Sequence, residues 1–379
     1  MPSFQHLTII LSTLPFTLTL PSGGPQRPGS NVLEELTSKL NGFSVEQVYN
    51  PNFSVDDGPA AWKKAAAKYT QPGSALAPAP VKSNKVSSGN GNVLLAGPGD
   101  TSTTAIDSSD LEYLTPIIVG GKNYLINLDT GSSNFWLSGN KTAAKNKYNP
   151  SGPPTQGSSW YASYGDGSAA SGDVFKETVV IGGTTATAVA VGHATTAPAS
   201  FFYPGSNGQP GADGLLGLGF SRDNTFRPKE KTWFDTAVDQ GLPNVFAANL
   251  MPGLVPGSFD FGQLNKSSYS GEINYVDVVI DQPSTTNHYW MVAPTKGDTG
   301  VMDTGTTLIL LSHNTTSTYY SSPAALAAGA RYVQESNQAY WAFYCNSTLP
   351  DFSIHLGGNE AVVPGNFLNY SVLSKDELC

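Results

Sequence analysis

The sequence predicts an all-β protein with more than one structural unit, and three observations lead to this fold class. Charged residues make up 13% of the 379 residues, against roughly 25% in an average soluble domain. The 40 glycines and 27 prolines supply frequent turns, and from about Asp110 onward short β-prone runs such as "EYLTPIIVGG" and "GDVFKETVVIGG" alternate with glycine. A chain of this length buries a large core and is expected to form at least two domains.

The first 20 residues predict a secretory signal peptide. An apolar run from Leu7 to Leu20 is interrupted by Pro15 and is too short to span a bilayer comfortably. We therefore expect a secreted extracellular protein, a vacuolar one being the other possibility, and no association with a membrane. Six N-x-S/T sequons follow, and in a secreted chain some are expected to carry glycan; they lie at Asn52, Asn140, Asn265, Asn314, Asn346 and Asn369.

Residues 21–95 predict a prosegment and linker ahead of the main body. Helical spacing in 31–70 is followed by a Pro/Ala/Ser/Gly-rich stretch without apolar period. The charge changes sign at the same place, from +2 over 23–95 to −11 from Ala96 onward. A basic leader on an acidic body indicates an inhibitory prosegment that is released when carboxylates protonate in acid. A disordered tail is the alternative.

Charge and residue usage also exclude several kinds of partner. The net charge of −9 argues against nucleic acid, because phosphate binding requires a basic surface. Two cysteines, Cys345 and Cys379, are too few for a thiolate metal site, and the five histidines show no metal-binding spacing. We expect neither a metal nor another cofactor.

Two Asp-Thr-Gly triplets carry the strongest chemical signal. They lie in "LINLDTGSSNFWL" (125–137) and "VMDTGTTLILL" (301–311), where Asp129 and Asp303 each follow a β-prone apolar run. A carboxylate placed among apolar residues needs a partner, and a glycine two residues later permits a tight turn.

The residues that follow each acid can supply that partner. Hydroxyls three residues past the acids, on Ser132 and Thr306, can donate to the carboxylates. The threonines directly after the acids can reach the opposite loop if the two loops face each other. The complete set of loop residues is Thr130, Gly131, Ser132, Thr304, Gly305 and Thr306.

If Asp129 and Asp303 lie side by side, they define a chemistry. Two adjacent carboxylates hold a single proton between them. The ionised member can take a proton from a water, and the protonated member can donate to a carbonyl oxygen. Such a pair can carry out hydrolysis at a carbonyl group by general acid–base catalysis, without a metal or a covalent intermediate.

These loops and several other motifs resemble those of the pepsin-like aspartic proteases, in particular the secreted fungal penicillopepsin and aspergillopepsin type. "SYGDGSAASGDV" (163–174) resembles the flap hairpin, and "ADGLLGLGF" (212–220) resembles the segment that threads the N-terminal lobe. The resemblance extends from about Gly42 to Cys379. It implies a bilobal fold with a cleft between an N-terminal β-lobe, 96–270, and a C-terminal β-lobe, 271–379.

The resemblance also implies roles for individual residues. Asp129 and Asp303 form the catalytic pair, while the hydroxyl of Tyr164 in the flap reaches Trp136. Gly165 and Asp166 contact the substrate. Lys68 and Tyr69 in the prosegment block the cleft, and Cys345 and Cys379 form a disulfide in the C-terminal lobe. Tyr164 and Trp136 could instead be core aromatics, and Asp166 a simple turn residue.

The expected function is therefore an aspartic endopeptidase, active in acid on polypeptides with large apolar residues beside the cleaved bond. Its expected partners are peptide or protein substrates and its own prosegment, and it is expected to be a monomer. Two departures support an alternative: "APTKGDT" replaces a longer hairpin, and the C-terminal lobe is expected to be incomplete and poorly packed. The alternative is an inactive or non-catalytic relative that at most binds peptide.

Overall fold

The structure is a computed structural model, and it describes the main body together with three short stretches of the leader. The described residues are 6–9, 43–46, 48–49 and 113–379, with gaps at 143, 145, 165–167, 199–200, 202–211, 252–256, 272, 280–288, 293–299, 307, 336–337, 357–358 and 370–377. Lys68 and Tyr69 of the predicted prosegment, and Gly165 and Asp166 of the predicted flap, lie outside the described residues.

Strands dominate the described chain, as the sequence predicts. The strands are β1 (His6–Ile9), β2 (Phe43–Glu46), β3 (Val48–Tyr49), β4 (Tyr113–Val119), β5 (Lys122–Asp129), β6 (Phe135–Ser138), β7 (Trp160–Ser163), β8 (Ala169–Ile181), β9 (Thr184–Thr196), β10 (Gly214–Gly217), β11 (Val245–Asn249), β12 (Ser258–Phe261), β13 (Met291–Val292), β14 (Gly300–Val301), β15 (Arg331–Glu335), β16 (Gln338–Ala342), β17 (Phe352–Leu356) and β18 (Asn359–Val363).

Helices are short and few among the described residues. The α-helices are α1 (Trp233–Asp239), α2 (His313–Tyr320) and α3 (Pro323–Ala327), and 3-10 helices cover Ser221–Asp223, Lys266–Ser268 and Gly365–Leu368. Each α-helix begins after a hydroxyl residue that caps it, as Thr232 does for α1 by accepting from the backbone N–H of Asp235. The prediction of an all-β fold is confirmed.

The N-terminal lobe is built on an eight-stranded sheet with the order β3-β4-β5-β10-β6-β9-β8-β7. The long hairpin β8–β9 turns at Gly182 and Gly183, whose φ angles of 55° and 87° are readily available only to glycine. In β5 the inward residues Tyr124, Ile126 and Leu128 alternate with more exposed ones, and this places one face of the strand in the core.

A second, four-stranded sheet has the order β1-β11-β12-β2 and joins leader to body. β2 pairs antiparallel with β12, and Val45 lies opposite Phe259 in the core. β1, which lies within the predicted signal peptide, pairs in parallel with β11. Of the predicted prosegment, β2 thus belongs to this sheet, and β3 adds to the edge of the large sheet beside β4.

The main core joins the two sheets through aromatic side chains. Trp233, Phe246 and Phe261 are fully buried there, and their neighbouring rings meet edge-on or tilted at centroid separations of 5.0 to 6.0 Å. Aromatic side chains bury large apolar areas and prefer such inclined contacts. The carboxyl end of β5, which carries Asp129, is thereby anchored in a rigid support.

The C-terminal part is assembled differently. Its described strands form three separate two-stranded sheets, β13–β14, β15–β16 and β17–β18, with α2 and α3 beside them. Its own apolar cluster is smaller and rich in alanine, with Ala325, Phe343 and Leu349 among its buried members. Leu326 and Tyr332 are about half exposed. Less apolar area is removed from water here than in the N-terminal core, so less stabilisation is expected.

Cys345 and Cys379 form a disulfide across 34 residues of sequence, with Cα atoms 5.1 Å apart. The backbone of Cys379 also exchanges two hydrogen bonds with Phe343, with N–O distances of 2.9 and 3.0 Å. The bridge therefore fixes residue 379 against the C-terminal cluster.

Replacing both Cys345 and Cys379 by serine is predicted to lower the free energy of unfolding by about 3 to 4 kcal/mol, because the unfolded chain gains the entropy of an open loop. Urea titration of the purified protein measures the loss. Reductant should lower the stability of the wild type and leave the double variant unchanged. Two reactive thiols in the native protein would contradict the bridge.

Candidate active site

The first candidate catalytic loop begins where β5 ends. Asp129 is 1% exposed, and both of its carboxylate oxygens accept hydrogen bonds from its own loop. The Gly131 N–H donates to Oδ1 at 2.9 Å and the Ser132 hydroxyl to Oδ2 at 2.6 Å. Such bonds favour the ionised form and fix the side-chain rotamer. The buried acid thus has the partners that burial requires.

The segment 212–220 passes beneath this loop. β10 pairs in parallel with β5 and antiparallel with β6, and Gly217 lies opposite Asp129. Three backbone N–H groups, those of Gly217, Leu218 and Gly219, donate to loop carbonyls at 2.8 Å each. A Cβ at Gly217 would lie 2.6 Å from the loop backbone, so only glycine allows this approach.

The second loop repeats the internal hydrogen bonds of the first. The Gly305 N–H donates to Oδ1 of Asp303 at 2.9 Å, and the Thr306 hydroxyl donates to Oδ2. This loop is half-buried rather than buried, and Ile309 beyond it is 48% exposed. Its preceding strand, β14, pairs over only two residues with β13.

Four reciprocal hydrogen bonds connect the two loops. The Thr130 N–H donates to the Thr304 hydroxyl oxygen at 3.1 Å, and the Thr304 N–H donates to that of Thr130 at 2.9 Å. Each hydroxyl also donates to a backbone carbonyl of the opposite segment. The Thr130 hydroxyl donates to the Met302 carbonyl at 2.7 Å, and the Thr304 hydroxyl donates to the Leu128 carbonyl at 2.8 Å. The contact relates the loops by approximate two-fold symmetry, as in an isologous interface.

The glycines of the loops show how close the two carboxylates lie. A Cβ on Gly131 would be 2.4 Å from Oδ1 of Asp303, and one on Gly305 would be 2.3 Å from Oδ1 of Asp129. Each glycine therefore lies against the carboxylate of the opposite loop while its own N–H binds the carboxylate of its own loop. The structure brings Asp129 and Asp303 together over one small region.

The base of the flap is also positioned by hydrogen bonding. The Trp136 indole N–H donates to the Tyr164 hydroxyl at 2.7 Å, and the Tyr164 backbone N–H donates to the Ser168 carbonyl at 2.8 Å. Trp136 is fully buried and stacks on Trp160 at a centroid distance of 5.9 Å. Tyr164 is thus fixed beside β7, at the point where the chain enters the flap.

A cavity of about 200 Å³ lies between the first loop and the flap base. Its walls combine loop backbone with aromatic and polar side chains from three other segments. The lining residues are Thr130, Gly131, Ser132, Ser133, Asn134, Tyr161, Ala162, Ser163, Tyr164, Gly219, Asp223, Thr225 and Tyr289. Aromatic surfaces with a few polar groups are typical of ligand-binding cavities.

Sequence reasoning missed several residues that support the site. The Trp290 indole N–H donates to the Leu218 carbonyl at 2.9 Å, and the Trp290 backbone carbonyl accepts a hydrogen bond from the Met302 N–H at 3.0 Å. Trp290 therefore connects the segment beneath the first loop to the second loop. Asn134 exchanges two hydrogen bonds with Thr225 at the cavity wall. Neither contact has a local sequence signature.

Asp213, at the entrance to β10, was also missed. It is buried, and its Oδ2 accepts from the Leu125 N–H at 2.8 Å and from the Asn146 amide at 2.9 Å. Burial raises the pKa of Asp213 to about 6, although these two hydrogen bonds oppose the rise. Asp213 precedes an apolar run, whereas Asp129 follows one, so the pattern that identified Asp129 does not identify Asp213.

These features define a class of protein. Two carboxylates that follow strands meet at one place beside Tyr164, each held by a glycine N–H and a hydroxyl, and this is the arrangement of an aspartic protease. Among the described residues there is no cluster of three or more potential metal ligands and no helix able to span a membrane.

Comparisons with known proteins agree with this class. The family model for eukaryotic aspartyl protease matches residues 112–379. Aspergillopepsin-1 of Aspergillus flavus is 36% identical over 357 residues, covering 88% of this chain and 81% of the relative. Penicillopepsin-2 of Penicillium janthinellum is 35% identical, covering 98% and 87%. A crystal structure of aspartic proteinase from Irpex lacteus aligns with a TM-score of 0.52 and 25% identity, covering 68% of this chain and 77% of that chain.

The chain therefore belongs to the eukaryotic aspartyl protease family and is an aspartic-type endopeptidase. The bilobal pepsin-like architecture expected from the sequence is confirmed by the fungal proteinase structure.

Asp213 is predicted to make the fold more stable in acid than at neutral pH. Its folded pKa of about 6 lies above the ordinary value of 3.8, so its stabilising contribution is complete below pH 3.8 and is lost as the pH rises through 6. The loss amounts to roughly 3 kcal/mol. Asp213→Asn should remove this dependence, because the amide oxygen still accepts both hydrogen bonds.

Unfolding free energies of the two proteins between pH 4 and 7 measure the effect. Asp277→Asn, a change at an exposed acid, is the matched control and should follow the wild type. Parallel pH profiles for wild type and Asp213→Asn would show that Asp213 does not titrate in this range.

Proposed function

We propose that the protein hydrolyses polypeptides in acid by means of a single proton shared between Asp129 and Asp303. The ionised carboxylate accepts a proton from a water lodged between the two acids. The resulting oxygen nucleophile attacks the peptide carbonyl carbon, and the protonated carboxyl donates its proton to the carbonyl oxygen, which gives a tetrahedral diol. The carboxyl that took the water's proton then donates a proton to the nitrogen while the other carboxylate takes a proton from a diol hydroxyl. The C–N bond breaks, an amine and a carboxylic acid are released, and the pair again holds one proton. The observation that carries the proposal is the contact of each loop glycine with the opposite carboxylate.

The hydrogen bonds within the loops support this assignment. Each acid accepts from a glycine N–H and from a hydroxyl, so both are held in fixed orientations before substrate arrives. Preorganised donors lower the cost of charge redistribution during the reaction. The proton belongs to the pair rather than to either residue, because closely coupled carboxylates titrate together.

We further propose that large apolar residues flank the bond that is cleaved. Aromatic side chains of Tyr161, Tyr164 and Tyr289 line the cavity beside the first loop, and Tyr161 is 60% exposed there. Such walls gain apolar contact when a bulky side chain enters. Gly165 and Asp166, in the flap, are proposed to contact the substrate backbone.

The leader is proposed to act as an inhibitory prosegment. β2 and β3 already pair with β12 and β4, so the leader is integrated into both sheets. Its basic charge complements the acidic body. Lys68 is proposed to place its ammonium between the two carboxylates and keep both ionised at neutral pH, with Tyr69 filling the cleft beside it.

Secretion as a monomeric glycoprotein completes the proposal. The apolar leader 1–20, the disulfide and four exposed sequon asparagines are consistent with passage through an oxidising secretory compartment. These asparagines are Asn140, Asn314, Asn346 and Asn369. The inactive-relative alternative expected from the sequence receives less support, because both acids retain their complete hydrogen-bond partners.

Asp129→Asn and Asp303→Asn are each predicted to lower the turnover of a denatured protein substrate at acid pH by at least about 100-fold, since either change removes the shared proton. A chelator should leave the activity unchanged, because the acids themselves activate the water. Asp239→Asn, on the exposed rim of α1, is the control for charge loss. Activity that survives Asp303→Asn but disappears with EDTA would refute the mechanism.

Lys68→Ala is predicted to raise the pH at which the precursor activates. Without the ammonium, two adjacent carboxylates no longer remain ionised together at neutral pH, and the prosegment is held less tightly. Lys82→Ala removes the same charge from the linker and should leave the profile unchanged. The measurement is prosegment release as a function of pH for the wild type and both variants. Identical profiles for Lys68→Ala and wild type would count against inhibition by Lys68.

A further inference from the structure

A groove between α2 and β17 lies in the C-terminal part, well separated in sequence from the catalytic loops. It has a volume of about 420 Å³ and is lined by Asn314, Thr315, Thr318, Tyr319 and Phe352. We call it the α2–β17 groove. Its helix side is one stripe of α2, because residues three and four apart share a face of a helix.

The far wall of this groove is fixed in place. The Tyr319 and Phe352 rings meet edge-to-face at a centroid distance of 5.7 Å, and the Tyr319 hydroxyl donates to the Pro350 carbonyl. Burial raises the pKa of Tyr319 to about 12, so the hydroxyl remains a donor at every physiological pH. The rings of Tyr319 and Phe352, which we call the aromatic corner of the groove, therefore present a rigid apolar surface. The hydroxyls of Thr315 and Thr318 lie on the same stripe of α2 beside it.

The residue at the rim of the groove is the acceptor of a glycosylation sequon. Asn314 is exposed, lies in the first turn of α2, and begins the triplet Asn314-Thr315-Thr316. We propose that Asn314 carries an N-linked glycan whose first sugar residue packs in the α2–β17 groove. The inference rests on the proposed secretion of the chain but not on catalysis.

The chemistry of the groove matches this occupant. A pyranose ring has an apolar face of C–H groups and a polar rim of hydroxyls. The face can cover the aromatic corner of Tyr319 and Phe352, and the rim can bond the two threonine hydroxyls. Covalent attachment at Asn314 removes most of the entropic cost of association, because the sugar is held at the rim at high effective concentration.

The consequence is a glycan that stabilises the C-terminal part. The apolar cluster of this part is small. Tyr319 and Phe352 are only partly buried by the chain itself, and a packed sugar would remove more of their surface from water.

The test uses the full chain secreted from a eukaryotic host. Peptide mass spectrometry measures occupancy at Asn314, and a peptide N-glycosidase measures how fast that glycan is released from native and from denatured protein. We expect an occupied site, with release at least about ten times slower from the native protein. Phe352→Leu keeps an apolar side chain but removes the ring, and should abolish the protection.

Thermal unfolding supplies an independent measurement. Asn314→Gln should lower the Tm by about 2 °C, and the same change in the Phe352→Leu background should have no further effect. Asn346→Gln, at an exposed turn, is the matched loss of a sequon and should not interact with Phe352. An unoccupied Asn314, or equal release from native and denatured protein, overturns the inference. An active enzyme with an unoccupied Asn314 would refute only the glycan, and an inactive protein with a protected glycan would refute only the proposed catalysis.

Discussion

The reciprocal contact between Thr130 and Thr304 is the interaction on which the active site depends. Its four hydrogen bonds, of 2.7 to 3.1 Å, join segments 174 residues apart and fix the distance between the two acids. Each contributes on the order of 1 kcal/mol net, so together they are worth a substantial part of the 5 to 15 kcal/mol that stabilises a domain. Their loss would affect activity more than stability, because catalysis requires the two carboxylates to be held at a fixed distance and orientation to each other.

The two acids receive unequal support from their surroundings. Asp129 stands at the end of a central strand, above β10 and the aromatic core, and it is buried. Asp303 follows a strand of two residues and is only partly buried. Its placement therefore depends on contacts with the other lobe, through Thr130 and through the hydrogen bonds of Trp290 to Leu218 and Met302. In effect the N-terminal lobe positions both acids.

Local sequence patterns predict the parts of the site whose partners are near in sequence. Ser132 and Thr306 lie three residues past their acids, and a tight turn can bring their hydroxyls back to the carboxylates. The β-prone runs likewise predict strands, since alternation and glycine punctuation are local properties. Trp290 and Asp213 were not predicted because their partners are distant: Trp290 reaches a carbonyl 72 residues away, and Asp213 an N–H 88 residues away. The pairing of β1 with β11 is equally non-local and follows only from the completed sheet.

Asp213 connects the stability of the N-terminal lobe to the chemistry proposed for its active site. It anchors the start of β10, and the residues at the end of that strand bind the backbone of the Asp129 loop. In acid the neutral carboxyl satisfies its two donors without burying a charge, and the strand is held at the least electrostatic cost. The proposed catalytic pair needs a proton under the same conditions. A rise in pH therefore weakens the support of the Asp129 loop, and under the proposed mechanism it also removes the shared proton. Acid activity in this protein would thus depend on the scaffold as well as on the two catalytic residues.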